Sequence, residues 1–152
     1  MITMMTARLL FTGALILPTI AFSSVLTTQQ KNYLEEIMTT QISNEQDRMA
    51  IKNEWSEAHQ VAEFLCRPVA TTFIQRQESL VEKVILSDGE QNSLTLHSPI
   101  RLTGNGQYLI SGAKWIPFYF RCDLSSITGK VTRFVIDHHT PYPQRNAVLQ
   151  PN

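Results

Sequence analysis

A chain of 152 residues carrying 13 basic and 13 acidic side chains lacks the basic excess that marks a nucleic-acid contact face. Its length suits one domain around one modest core. Exactly two cysteines, Cys66 and Cys122, give no C-x-x-C pair of the kind used by thiol oxidoreductases.

The first residues, MITMMTARLLFTGALILPTIAFSS, open with Arg8 as their only charge, run apolar from Leu9 to about Ile20, and end in the small residues Ala21, Ser23 and Ser24. That is the layout of a cleaved secretory signal, with scission after Ala21 or Ser23. The apolar run is interrupted by Thr12, Gly13 and Pro18 and falls short of the roughly 20 apolar residues that cross a bilayer, so an uncleaved anchor is the lesser reading. No cysteine near the cut offers the acceptor a lipoprotein needs, and no later stretch is long and apolar enough to span. The expected organisation is a signal peptide over 1–23, a single domain over 24–140 and an irregular tail over 141–152. The mature chain is expected in the periplasm or secreted, without a membrane span.

Cleavage after Ser23 leaves 152 − 23 = 129 residues with 12 basic and 13 acidic side chains. The charge is uneven, 3 − 7 = −4 over residues 24–63 and 9 − 6 = +3 over 64–152. An acidic helical half packed on a mildly basic sheet half accounts for this. In an oxidising compartment the two cysteines are expected to pair with each other. Closing a loop of 122 − 66 = 56 residues stabilises by about 4 kcal/mol in the chain-entropy model.

From Thr27 to about Gln41, Tyr33, Leu34, Ile37 and Met38 fall at helical spacing, with Thr27 or Thr28 placed to cap the start. Ser43 then opens SNEQ, a capping-box pattern that predicts a helix from Asn44 to about Leu65, with Met49, Ala50, Asn53, Ala58, Ala62 and Leu65 near one face and Trp55, Val61 and Phe64 widening it. Pro68 suits the first turn of a further helix, with Val69, Ala70, Phe73 and Ile74 turned inward. A strand is expected from about Val81 to Ser87, ending in the Asp88-Gly89 turn.

Beyond Gly89 the texture changes to short apolar runs between turns: NSLTLHS, IRLTG, QYLISG, KWIPFYFRCD and KVTRFVIDH. Their tight spacing argues antiparallel pairing. Gly104-Asn105-Gly106 reads as a hairpin between two of them. A phosphate cradle built on this GxG would need a helix to follow, and none does. Pro117 predicts an edge position or a bulge at the start of its strand.

The string LTGNGQY, then KWIPFYFRCD, then TGKVTRF, resembles BspC-like and other bacterial domains of unknown function. These are small secreted proteins of Gram-negative bacteria with an L-T-G-x-G-Q segment, a Trp opening a strand that ends in Cys, and a G-K-V-x-x-F return strand. The resemblance covers roughly Cys66 to Ile136. It implies a helical stretch after the earlier cysteine, which strengthens the pairing with Cys122, and it brings no established activity.

Candidate chemistry is sparse. Asp137, His138 and His139 are consecutive, but on a strand the two histidines point to opposite faces. A zinc site from His97, Asp137 and one of that pair has suitable ligand types without a signature spacing. His59 and Glu63 stand one helical turn apart, close enough for a surface hydrogen bond, yet HQVAE is not HExxH. No G-x-S-x-G or S-x-x-K occurs, Ser125-Ser126 belongs to a turn, and Glu35-Glu36 and Glu54 with Glu57 read as solvated helix faces. No catalytic residue, metal or cofactor is assigned.

The aromatic strand carries more. Alternation puts Ile116, Phe118, Phe120 and Cys122 on a core face, and Trp115, Pro117, Tyr119 and Arg121 on the other. Trp115, Tyr119 and Arg121 are residue types enriched at interaction hot spots, and they are expected to form a binding surface with Arg133 and Tyr108 on neighbouring strands, Trp115, Tyr119, Arg121 and Arg133 being the residues to test first. The bland alternative is an outer face packed against the tail or the first helix.

The sequence therefore predicts an α+β fold with N-terminal helices on one face of a four- to five-stranded antiparallel sheet, tied by Cys66 and Cys122. The functional expectation is a non-enzymatic binding module whose partner is a protein or an envelope component. The runner-up is a small secreted hydrolase or effector using His97, Asp137 and His138.

Overall fold

A computed structural model describes residues 24–87, 89–90, 92–112 and 114–138. The signal peptide expected over 1–23, the tail expected over 141–152, Asp88 and His139 lie outside the described residues. Among the described residues four α-helices precede five strands: α1 (Thr28–Gln41), α2 (Glu45–Glu54), α3 (Glu57–Gln60), a π-helical segment (Val61–Cys66), α4 (Arg67–Gln77), then β1 (Val81–Ile85), β2 (Leu94–Ser98), β3 (Arg101–Ile110), β4 (Lys114–Leu124) and β5 (Val131–Asp137). The helices pack on one face of an antiparallel five-stranded sheet, giving the α+β class. None of the helices among the described residues is long and apolar enough to cross a membrane.

α1 starts where its cap chemistry says it should. Thr27 is extended, its hydroxyl accepts from the Gln30 N–H at 3.3 Å, and the Gln30 side chain accepts from the Thr27 N–H at 2.9 Å, a reciprocal capping box. Leu34 and Met38 are buried on its inner face.

The single helix predicted from Asn44 to about Leu65 is two. Asn44 itself, one residue after the predicted cap, accepts from the Gln46 and Asp47 N–H groups. α2 stops at Glu54 because Trp55 turns extended and Ser56 caps a new helix, accepting from the His59 N–H at 3.2 Å. The turn lays the Trp55 ring flat on His59, centroids 4.2 Å apart, and lets Gln60 donate to the Trp55 carbonyl at 3.0 Å. Met49 and Ala50, predicted inward, are exposed, and α2 buries no residue. Its contribution comes through the partly buried Ile51 and Trp55.

Pro68 stands in the first turn of α4, as its fixed φ favours. The chain does not break there, because the π-helical turn over Val61–Cys66 delivers it in helical geometry. Ala70 and Ile74 are buried and Phe73 packs against the core, while Val69 points outward, 38% exposed, against the prediction.

The runs IRLTG and QYLISG fuse into the single strand β3, the organising element of the sheet. β4 flanks it along one side; on the other side, β2 pairs with Arg101–Gly104 and β1 with Gln107–Ile110. The expected Gly104-Asn105-Gly106 hairpin is therefore interior strand, placed where the neighbour changes from β2 to β1. Both glycines face the core because nothing larger fits: a Cβ on Gly104 would lie 2.5 Å from the Ser93 carbonyl oxygen, and one on Gly106 would lie 2.6 Å from Phe118 Cζ. Pro117 lies opposite Gln107, beyond the last β5 pairing at Tyr119↔Asp137, so no described strand flanks it on that side. An edge position of this kind was expected of it.

The core lies between the layers. Leu102, Phe120, Cys122 and Phe134 from the sheet meet Met38, Val61, Cys66 and Ile74 from the helices, with Phe120 and Phe134 stacked at 5.7 Å. Cys66 and Cys122 are joined as a disulfide, Cα atoms 6.2 Å apart, both fully buried.

Candidate functional site

The side of the sheet turned away from the helices carries the residues singled out from sequence. Along β4, Trp115, Tyr119 and Arg121 alternate outward with the inward Phe118, Phe120 and Cys122. On β5, Arg133 lies opposite Asp123, which puts it on the same outer face, one register step from Arg121. These four residues share this face, with Trp115 the outlier, four residues along the strand from Tyr119 and 40% exposed; Tyr108, also expected here, instead faces the core, because on β3 it alternates in step with the buried Leu102, Gly104 and Gly106.

Register assembles what the alternation alone did not reveal. Arg101 on β3 and Arg133 on β5 stand on either side of Asp123 on β4. Arg101 Nε donates to Asp123 Oδ1 at 2.8 Å, and the hydrogen bond and then the charge of that carboxylate hold the guanidinium pKa above its already high ordinary value. Arg121 Nε lies 3.4 Å from the other carboxylate oxygen, within ion-pair reach but outside hydrogen-bond geometry. One acidic group thus stands among three arginines. Next to this cluster is a concavity of about 340 Å³, lined by Thr103, Tyr119, Arg121, Val135, Ile136 and Asp137.

None of the outward side chains of this face is fully buried. The first helix does not cover it, since α1 packs against the π-helical segment on the other side of the sheet. Arg101, Asp123 and Val135 were missed by the sequence reading. Their signal was the strand alternation, but which residues meet across strands required the register.

The histidines are scattered. His97 on β2 bonds Thr103 Oγ1 at 2.7 Å. Asp137 sits at the end of β5, three strand spacings or roughly 14 Å away across the sheet. His138 follows on the other face, its ring 6.2 Å edge-on from Tyr108. The structure does not bring His97, Asp137 and His138 together, and no group of three metal-ligating side chains occurs among the described residues. His59 stacks on Trp55, and Glu63 pairs with Arg67 at 2.7 Å instead of with His59. Ser125 serves its turn, its hydroxyl accepting from the Ile127 and Thr128 N–H groups at 3.2 and 3.1 Å.

A second concavity, about 610 Å³, lies among the helices and is lined by Leu34, Met38, Trp55 and the paired Glu35 and Lys52, with Glu57 at its rim. Its floor is apolar and its rim carries both signs of charge.

Comparison of the chain with family models, with curated proteins and with solved structures finds no match.

Proposed function

We propose that this chain is an exported, non-enzymatic binding module of the bacterial cell envelope, and that it holds a protein or envelope component against the outer face of its sheet. The observation that carries the reading is the cluster of Arg101, Arg121 and Arg133 around the one carboxylate of Asp123, beside the Tyr119 concavity, on a face that no described element covers. Arg101 and Arg121 lie within ion-pair reach of Asp123, Arg133 stands opposite it, and Asp137 lines the adjoining concavity, so on this face guanidinium groups outnumber carboxylates three to two. Arginine and tyrosine are the side chains that contribute most when desolvated at an interface, so the expected partner presents carboxylates or other acidic groups. Export is supported by the leader composition, by the buried disulfide and by the resemblance to secreted BspC-like domains.

The test is in-cell photo-crosslinking from position 119, with Arg121→Glu and Arg133→Glu as comparisons. Both positions lie on the outer face, so thermal unfolding should shift little while capture of the wild-type partner is lost. Capture that survives both substitutions would overturn the reading.

A further inference from the structure

Ahead of the α1 cap, one carboxylate holds two successive residues of the incoming chain. Glu57, in the first turn of α3, accepts from the Ser24 hydroxyl through Oε1 and from the Val25 N–H at 2.9 Å through Oε2. From there the chain is pinned continuously. Leu26 is buried in the core, and the Thr27 hydroxyl donates to the Ser126 carbonyl at 2.9 Å while capping the helix. Covalent geometry keeps the backbone nitrogen of Ser24 within about 4 Å of both groups that Glu57 holds. In the sequence, Ala21-Phe22-Ser23 stands immediately before Ser24, with small residues three and one positions ahead of the bond.

We propose that a signal peptidase hydrolyses the Ser23–Ser24 bond and that Glu57 then receives the new α-ammonium group, so that removing the leader completes an ion pair fastening the N-terminus to α3. This rests on the export reading above. In the step, water supplies OH to the Ser23 carbonyl carbon and H to the Ser24 nitrogen. The resulting amine takes a further proton from solvent at neutral pH. What had been an amide, neutral and with one hydrogen, becomes a cation with three donors beside a carboxylate already aimed at its own residue. Scission after Ala21 would leave Phe22 and Ser23 ahead of the site and keep the Ser24 nitrogen an amide. Glu57 is the group that meets the residue the A-x-S pattern would expose.

The exported protein, analysed by N-terminal sequencing and intact mass, should begin at Ser24. A chain that keeps its leader would overturn this inference, and its recovery from the cytoplasm alone would remove the export reading as well. A chain beginning at Phe22 would overturn this inference and leave export standing. The ion pair is then tested on the chain from Ser24 with its α-amine free or acetylated, each with Glu57 or Glu57→Gln. Acetylation removes the charge and leaves every side chain in place. It should lower Tm by about 3 °C at low salt with Glu57 present and by less than about 1 °C with Gln. The Glu57 difference should shrink at high salt. Equal effects of acetylation in the two backgrounds would overturn the role of Glu57.

Discussion

The Gln30 side-chain amide donates to the carbonyl of Ser125 across 3.1 Å, joining the first turn of α1 to the β4–β5 turn, 95 positions away in the chain. The same nitrogen donates to the Pro99 carbonyl in the β2–β3 turn, and the side-chain oxygen accepts from Thr27. Gln30 is 1% exposed, and these bonds satisfy both ends of its amide. One side chain therefore positions a helix start against two sheet turns. Gln30→Leu keeps the volume but takes the side-chain partner from the Pro99 carbonyl and the Thr27 N–H, while the Ser125 carbonyl keeps its bond from the Gly129 N–H. The expected loss is about 2–3 kcal/mol, read as a lower urea midpoint with an unchanged slope. A midpoint equal to wild type would show that water replaces these bonds without cost.

The Cys66–Cys122 bond closes 56 residues and joins the end of the π-helical segment to the middle of the sheet. Replacing both cysteines by alanine should lower stability by up to about 4 kcal/mol. Denatured, unreduced protein should show no reactive thiol, and two free thiols would contradict the bond.

Tyr108 faces the core beside Phe118, ring centroids 5.9 Å apart. Burial first, and the charge of Glu78 second, raise its pKa above the ordinary phenol value. The folded state thus holds this proton more tightly than the unfolded chain. The corresponding stability is complete below the unfolded pKa of about 10 and is lost as pH rises through the folded value. Tyr108→Phe should therefore show a shallower decline in stability than wild type as pH rises above about 10, measured by urea unfolding. Parallel declines would mean that the phenol titrates alike in both states.

Gly106→Ala places a methyl group 2.6 Å from Phe118 Cζ and 2.9 Å from the Ile85 carbonyl oxygen. The ring can tilt but the β1 backbone has less freedom, so a destabilisation of about 1–3 kcal/mol is expected. Adding Phe118→Leu should be less costly in the Gly106→Ala background than in wild type, a coupling that a double-mutant cycle measures. Strict additivity would show that the ring does not limit this position.

What the sequence revealed and what it hid follow from the range of the interactions involved. The Thr27 cap, Pro68 in a first turn and the inward face of β4 depend on neighbours a few positions apart, and all three were legible. So was the disulfide, because two cysteines admit one pairing. The Trp55–Ser56 break was not, since apolar residues keep helical spacing straight through it and only the seat of the Trp55 ring on His59 shows why the chain turns. Gly104 and Gly106 were misread because a glycine needed for a left-handed turn and one needed for close approach are the same letter. At the candidate site, alternation placed Trp115, Tyr119 and Arg121 on one face, whereas the Arg101–Asp123–Arg133 row exists only through strand register.

The two notches in β3 also act as a key. A one-residue slip of a strand turns its apolar side chains to the wrong face and is excluded by that alone, but a two-residue slip keeps every side chain on its own face. In β3 the notches exclude that slip as well. Moved one way, the strand would put Tyr108 where Gly106 now lies under Phe118; moved the other way, it would drive Leu102 into the space against Ser93 and Leu94 that Gly104 leaves free. Only the native alignment fits a glycine to both places at once, so β3 accepts its neighbours on both sides in a single register, and the arginine row on the opposite face is aligned by the same choice.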